Sequence, residues 1–210
     1  MAGEPSSADS PQKRTRLRRI RSFIIIFLAV AVTVLVATYG IAMQAGWLHK
    51  PYSSAVKPLA WILGHHENAY NFDDVIPGHC YRSGMPDERL LRHISSTYGI
   101  SHIVSLKGER ECHGTARELG MEVTTMTWGT DRVPPESELL KVLSIIQKGG
   151  PVLIHCSVGK HRTGYAIAAY RILRQDWTFE QAFQEMIDHG YMHDDRPVFE
   201  ESLQAFFINN

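Results

Sequence analysis

The stretch from Pro151 to Leu173 leaves little freedom in how it folds. Pro151-Val152-Leu153-Ile154 is short, apolar and branched, the pattern of a buried strand. Tyr165 to Leu173 is rich in alanine and isoleucine at helical spacing. Between them lies His155-Cys156-Ser157-Val158-Gly159-Lys160-His161-Arg162-Thr163-Gly164. A strand must therefore turn into a helix within these residues, with a cysteine at the turn and an arginine at the helix start. The first backbone N–H groups of a helix have no partner inside it, and the helix dipole adds positive potential at that end. The segment is thus expected to be an anion cradle with a thiol at its base.

Each residue type in the loop suits that chemistry. A thiol is a nucleophile only as thiolate, and a helix N-terminus with nearby cations lowers its pKa. Arg162 offers a planar fork able to grip two oxygens of a phosphoryl group at once. Gly159 permits a positive φ, so that the amides of Ser157, Val158, Gly159, Lys160 and His161 can converge as a nest. Thr163 is placed to donate its hydroxyl to the sulfur of Cys156. His155 is expected to orient the loop rather than act as a base, since a thiolate needs none.

The frame of His155, Cys156, five residues, Arg162 and Thr163 resembles the signature of the cysteine-dependent protein tyrosine phosphatase superfamily. The short region from about Asn71 to Asn210 resembles its dual-specificity branch, in particular the atypical members with a basic loop. Cys80-Tyr81-Arg82-Ser83-Gly84-Met85-Pro86 is similar to that family's early strand and turn. The resemblance implies a phosphomonoester hydrolase with Cys156 as nucleophile, Arg162 as phosphate clamp and no cofactor. Rhodanese-like sulfur carriers share a cysteine loop, but the full frame favours a phosphatase. Low-molecular-weight phosphatases carry the spacing near the chain start, whereas here it lies late.

The resemblance also implies a general acid on the loop ahead of the signature strand. Trp128-Gly129-Thr130-Asp131-Arg132-Val133-Pro134-Pro135 is the matching stretch, and Asp131 is its one aspartate. Asp194 and Asp195 are the runners-up, with a solvated turn as their simpler reading. No paired cysteine or histidine spacing marks a metal site. His65, His66, His79 and His193 read as solvent-exposed side chains.

The chain has 210 residues and no net charge, but the charge is uneven. Lys13, Arg14, Arg16, Arg18, Arg19 and Arg21 face only Glu4 and Asp9 in residues 1–21, so the remainder is net acidic. That balance argues against a nucleic-acid partner. Ser22 to Met43 carries no charge, and its length is about what a ~30 Å hydrocarbon core requires. An uncleaved signal anchor is favoured over a cleaved signal peptide, for which Gly40-Ile41-Ala42 would be the cleavage site. The positive-inside rule then puts the basic tail in the cytoplasm and the remainder across the membrane. Cys80 and Cys112 are read as buried thiols, with a disulfide in an oxidising space, or a resolving role toward Cys156, as the alternatives.

The expected organisation is a basic disordered tail over 1–21, a transmembrane anchor over 22–43, a juxtamembrane connector over 44–70 and a catalytic domain over 71–210. Trp47, Tyr52 and Trp61 suit an interfacial position, with packing on the domain as the alternative. Beyond them, strands are predicted at His79–Arg82, His102–Leu106, Glu122–Met126 and Pro151–His155. Helices are predicted at Glu88–Thr97, Glu111–Leu119, Glu136–Lys148, Thr163–Arg174 and Thr178–His189. Such alternation means an α/β fold, a central, mostly parallel sheet of four to five strands flanked by helices. The expected substrates are phosphotyrosine, phosphoserine or phosphothreonine proteins, or a phosphoinositide or inositol phosphate, the latter suggested by Lys160 and His161 beside the cradle. A catalytically silent phosphate-binding module is the competing reading.

Overall fold

The protein is described by a computed structural model covering residues 11–44, 57–64, 66–110, 112–192 and 197–209. The chain divides into two compact units, Met1–His49 and Lys50–Asn210. The first contains helix α1, Pro11–Gln44. Within it Arg18–Thr38 has a mean hydropathy of 2.6, and it is the one helix among the described residues long and apolar enough to cross a membrane. The helix begins at Pro11, so residues 11–21 are helical where a disordered tail was expected. Proline is favoured at a first helical position, and leucine and arginine propagate a helix well.

The second unit holds a five-stranded sheet in the order β1-β2-β5-β3-β4. Its strands are β1 Asp73–Ile76, β2 Cys80–Ser83, β3 His102–Ser105, β4 Glu122–Thr125 and β5 Val152–His155. β2, β5, β3 and β4 run parallel, and β1 pairs antiparallel with β2 as an edge. The edge strand escaped sequence reading because Asp73-Asp74-Val75-Ile76 has too few apolar residues to show an alternation. β5 lies at the centre and is buried along its whole length.

Side chains alternate between two cores. Val152 and Ile154 join Val104 and Cys80 on one face, whereas Leu153 joins Ile103 and Tyr81 on the other. The first face is covered by α5 Glu136–Lys148, α6 His161–Gln175, α7 Phe179–Asp188 and α8 Pro197–Asn209. The second is covered by α3 Glu88–Tyr98 and α4 Cys112–Glu118. α3 ends at Gly99 with φ +64°, and α7 starts in a capping box between Thr178 and Gln181, as their sequences predict. α8 was not anticipated. A short helix α2, Lys57–Ile62, also belongs to this unit. Its Trp61 packs against the second core and stacks on His66, which is the alternative reading of that tryptophan. Trp47 and Tyr52 lie outside the described residues.

α6 is buried from Arg162 to Ile172, and its alanines let it lie close to its neighbours. Arg171 is the polar exception. Its guanidinium pairs with both carboxylate oxygens of Glu185 at 2.9 and 3.0 Å, donates to the Val75 carbonyl and stacks on Trp177. This ties α6 to α7 and to the edge strand. Glu185→Ala would leave that charge buried without its partner, with an expected loss of about 3 kcal/mol. The melting temperature should fall by roughly 6–12 °C. A fall below 2 °C in calorimetry would show the pair to be dispensable.

Candidate active site

Parallel register brings the carboxyl ends of β2, β3 and β5 to one place. Ser83 and Ser105 both lie opposite His155. Residues just past each strand therefore gather around the loop that follows β5, the position where such sheets bind ligands. The loop runs from Cys156 to Lys160, and α6 begins at His161.

The backbone of this loop is held from behind. The Gly159 carbonyl accepts from Arg82 Nη2 at 2.9 Å and from Asn71 Nδ2 at 3.1 Å. The Ser157 carbonyl accepts from the Met85 N–H at 3.0 Å. Arg82 and Asn71 are both fully buried. With these carbonyls turned into the protein, the planar peptide units direct their N–H groups the other way. Gly159 has φ +73°, and a β-carbon there would stand 2.6 Å from Gly84 N and Ser83 C. Glycine is thus required for both conformation and space.

Cys156 is 2% exposed. Burial pushes its thiol pKa up, but the Thr163 hydroxyl, the Arg162 charge and the N–H groups of Thr163 and Gly159 outweigh this, and the net shift is downward. The Thr163 hydroxyl is buried, and it is the largest of the influences that lower the Cys156 pKa. Arg162 is fixed by Nη1 donating to the Trp128 carbonyl at 3.1 Å. That contact joins the start of the Asp131 loop to the guanidinium. Asp131 itself is exposed, and its carboxylate folds back over Gly129.

Behind the sulfur stands a pair of imidazoles. The Arg110 N–H donates to His113 Nδ1 at 3.1 Å, His113 Nε2 faces His155 Nε2 at 3.4 Å, and His155 Nδ1 meets the Cys156 carbonyl at 3.2 Å. Neutral His113 donating from Nε2 and neutral His155 donating from Nδ1 to the carbonyl fit these three contacts, and Glu109 Oε1 also stands 3.3 Å from His113 Nδ1. Burial holds the His155 pKa down at about 4, so it is neutral at physiological pH. Its contact lies on the carbonyl of the neighbouring Cys156, within the loop.

Not every loop residue behaves as expected. The Lys160 side chain lies against Gly190, and the His161 ring packs edge-on to Tyr191. Both basic groups engage the segment after α7. An amine that meets the loop is Lys107, whose Nζ is 2.5 Å from Ser157 Oγ. Register could have found it: Lys107 is two residues beyond Ser105, as Ser157 is two beyond His155. Arg82, Asn71 and His113 were also missed. Asp194, Asp195, His65 and His193 fall outside the described residues. His79 is half-buried, its ring nitrogen 2.6 Å from the Ile146 carbonyl, rather than solvent-exposed. Beside the loop a cleft of about 890 Å³ opens between Met85–Glu88 and the Glu109–Thr115 segment.

The three cysteines are free. Cys80 packs in the first core and Cys112 against the second, on opposite faces of the sheet, so the sheet stands between them. Burial pushes Cys80 up to about 12 and also raises Cys112.

A thiol at the base of an amide nest, closed by a buried arginine at the end of a central parallel strand, defines a cysteine-dependent phosphatase. Residues 68–209 match the sequence profile of the tyrosine phosphatase family, and the chain belongs to that family. It is 31% identical over 170 residues to the dual specificity protein phosphatase TpbA of Pseudomonas aeruginosa, spanning 77% of this chain and 73% of that protein. It is 30% identical over 124 residues to the inositol diphosphatase SIW14 of Saccharomyces cerevisiae, spanning 55% and 43%. The crystal structure of P. aeruginosa TpbA superposes with a TM-score of 0.56 at 25% identity, covering 67% of this chain and 91% of that one. The S. cerevisiae SIW14 catalytic core, in complex with citrate, gives 0.58 at 26% identity, covering 65% and 85%.

The lowered thiol has a direct consequence. Because the thiolate persists to lower pH, the midpoint of the pH–rate curve for alkylation of Cys156 by iodoacetamide should lie below the ordinary value of about 8.5. Thr163→Val removes the strongest stabiliser of the anion and should move the midpoint upward, slowing alkylation at pH 6.5 on the order of tenfold. Mass spectrometry of the modified peptides checks this. An unmoved midpoint would show that the hydroxyl has no hold on the sulfur.

Proposed function

We propose that the protein hydrolyses phosphomonoesters through a phosphocysteine intermediate. The observation that carries this reading is a buried thiol with a lowered pKa beside the Arg162 charge, in a loop whose Ser157 and Gly159 carbonyls are anchored inward. Cys156 Sγ attacks phosphorus as the bond to the leaving oxygen breaks. The amides from Ser157 to His161 and Arg162 hold the equatorial oxygens as charge develops there. Asp131 donates a proton to the leaving oxygen, then takes one from the water that attacks the phosphocysteine. The S–P bond breaks, phosphate leaves, and the Thr163 hydroxyl steadies the departing thiolate. The link from Arg162 to the Trp128 carbonyl supports a position for the Asp131 loop over the phosphate.

The substrate reading supported best is a phosphorylated protein side chain. The likeness to TpbA spans most of both chains, and the cleft that starts at Met85, whose N–H bonds the Ser157 carbonyl, offers room for a polypeptide. A second reading, an inositol phosphate or phosphoinositide, is favoured by the Lys107 amine that meets the loop and the likeness to SIW14. A silent phosphate-binding module would not need the paired Cys156 and Arg162.

Cys156→Ser should abolish turnover of aryl phosphates. Asp131→Asn should lower kcat roughly a hundredfold on phosphoserine peptides and far less on p-nitrophenyl phosphate, whose leaving group needs no proton. Equal losses on both would remove Asp131 from the role of acid. Steady-state comparison of phosphopeptides with inositol phosphates ranks the two substrate readings, and absence of peptide turnover sinks the first.

The N-terminal helix is read as a membrane anchor with its basic end in the cytoplasm and the catalytic unit on the other side. A reporter fused after Asn210 should be active only when exported. Cytoplasmic activity would reverse that topology.

A further inference from the structure

We propose that His66, Glu67 and His93 form a binding site for a borderline divalent cation, zinc by its donor set. The site lies apart from the cysteine loop and is independent of the phosphatase reading. His66 is half-buried against Trp61 rather than solvent-exposed. One ligand atom from each of the three residues falls within 4.8 Å of the other two. His66 Nε2 is 3.1 Å from His93 Nε2, and that atom is 3.2 Å from Glu67 Oε1. Ligand atoms around a tetrahedral zinc, with bonds of about 2.0–2.1 Å, stand roughly 3.3 Å apart. These two separations are close to that spacing, and the third pair lies within 4.8 Å. Two imidazoles and a carboxylate are also a donor set that zinc takes, with a fourth position left for water.

The surroundings hold these three groups in place. Trp61 stacks flat on His66 at 4.0 Å, and the two imidazoles meet edge to face at 4.5 Å. Arg89 sits 4.2 Å over the same indole. His93 Nδ1 faces Thr97 Oγ1 at 3.4 Å, so a proton on Nδ1 leaves the Nε2 lone pair for a metal. Tyr98 donates its hydroxyl to Glu67 Oε1. Second-shell hydrogen bonds of this sort orient metal ligands. Glu67 is about one-third exposed and His93 about one-quarter, which gives an ion access. Sequence spacing concealed the set because His93 comes from α3 while His66 and Glu67 precede the 3₁₀ turn Asn68–Tyr70.

The position suggests what a bound ion would do. It would fasten the segment that leads into Asn71 onto α3. Asn71 holds the Gly159 carbonyl, so the tie would brace one of the two donors behind the cysteine loop.

The test uses the full chain in detergent, without an affinity tag, in a Cys156→Ser background that removes the thiol as a competing ligand. Added Zn2+ should bind with one equivalent in calorimetry and raise the melting temperature by roughly 5 °C. Co2+ should give visible d–d bands without a thiolate charge-transfer band. His66→Gln with His93→Gln should lose both responses, and Glu67→Gln should weaken binding at least tenfold. Failure of the parent to bind Zn2+ at micromolar concentration overturns the proposal. So does equal binding by the double variant, or a cobalt spectrum with thiolate character. The parent's stoichiometry and spectrum decide the matter even where the double variant does not fold.

Discussion

The site depends on where the carbonyls of one short loop point. A peptide unit is planar, so fixing its oxygen fixes the direction of the N–H that follows. Arg82 and Asn71 take the Gly159 oxygen, and Met85 takes the Ser157 oxygen. The N–H groups of Val158 and Lys160 are thereby turned the other way. Burying a guanidinium beneath the loop is costly unless it is well hydrogen-bonded, and the Gly159 carbonyl is one of the groups that compensates it. The same arrangement adds positive potential beneath an anion site. Structure and electrostatics are here a single interaction.

The imidazole pair extends this logic on the other side of the loop. A protonated His155 would clash electrostatically with Arg162 and His113, both of which hold its pKa down together with burial. Kept neutral, it can donate to the Cys156 carbonyl and leave the sulfur's charge to be balanced by Arg162 and the amides. Thiolate and imidazolium need not coexist, which separates this arrangement from thiol sites that rely on a histidine base. The three cysteines make the same point. Two are pushed up by burial, and one is pulled down although it too is buried. Environment, not exposure, divides them.

Much of this was legible in the sequence because it is local. The strand Val152–His155, the glycine at 159 and the helix from His161 are fixed by neighbours within a few residues, and their periodicity shows. α3 to α7 each have an apolar stripe, and several have a stop signal. What stayed hidden is long-range. Arg82 reads as a polar residue in a short strand until the parallel register with β5 brings it beneath Gly159. Asn71 reads as a turn residue; its αL conformation at φ +53° is indeed a turn, but the amide it frees is aimed 88 positions down the chain. Lys160 and His161 adjoin the loop in the chain but turn to Gly190 and Tyr191, and it is Lys107, past the end of β3, that meets Ser157. Adjacency in the chain misled where adjacency across strands decided.

The same contrast governs the N-terminal part. In α1 composition decides more: were an uncharged run of this length to lie in a hydrocarbon layer, it would have to satisfy its own backbone, and a helix does so within one segment. The helix carries on into the basic residues because nothing there, neither glycine nor internal proline, interrupts it before Pro11. In the 57–70 region composition decides little. Trp61 is as well suited to a bilayer surface as to a protein groove, and it is the neighbouring His66, Tyr70 and Arg89 that claim it. Aromatic residues near an apolar helix are therefore weak indicators of interfacial position when a folded domain begins within reach. Their partners, and not their type, assign them.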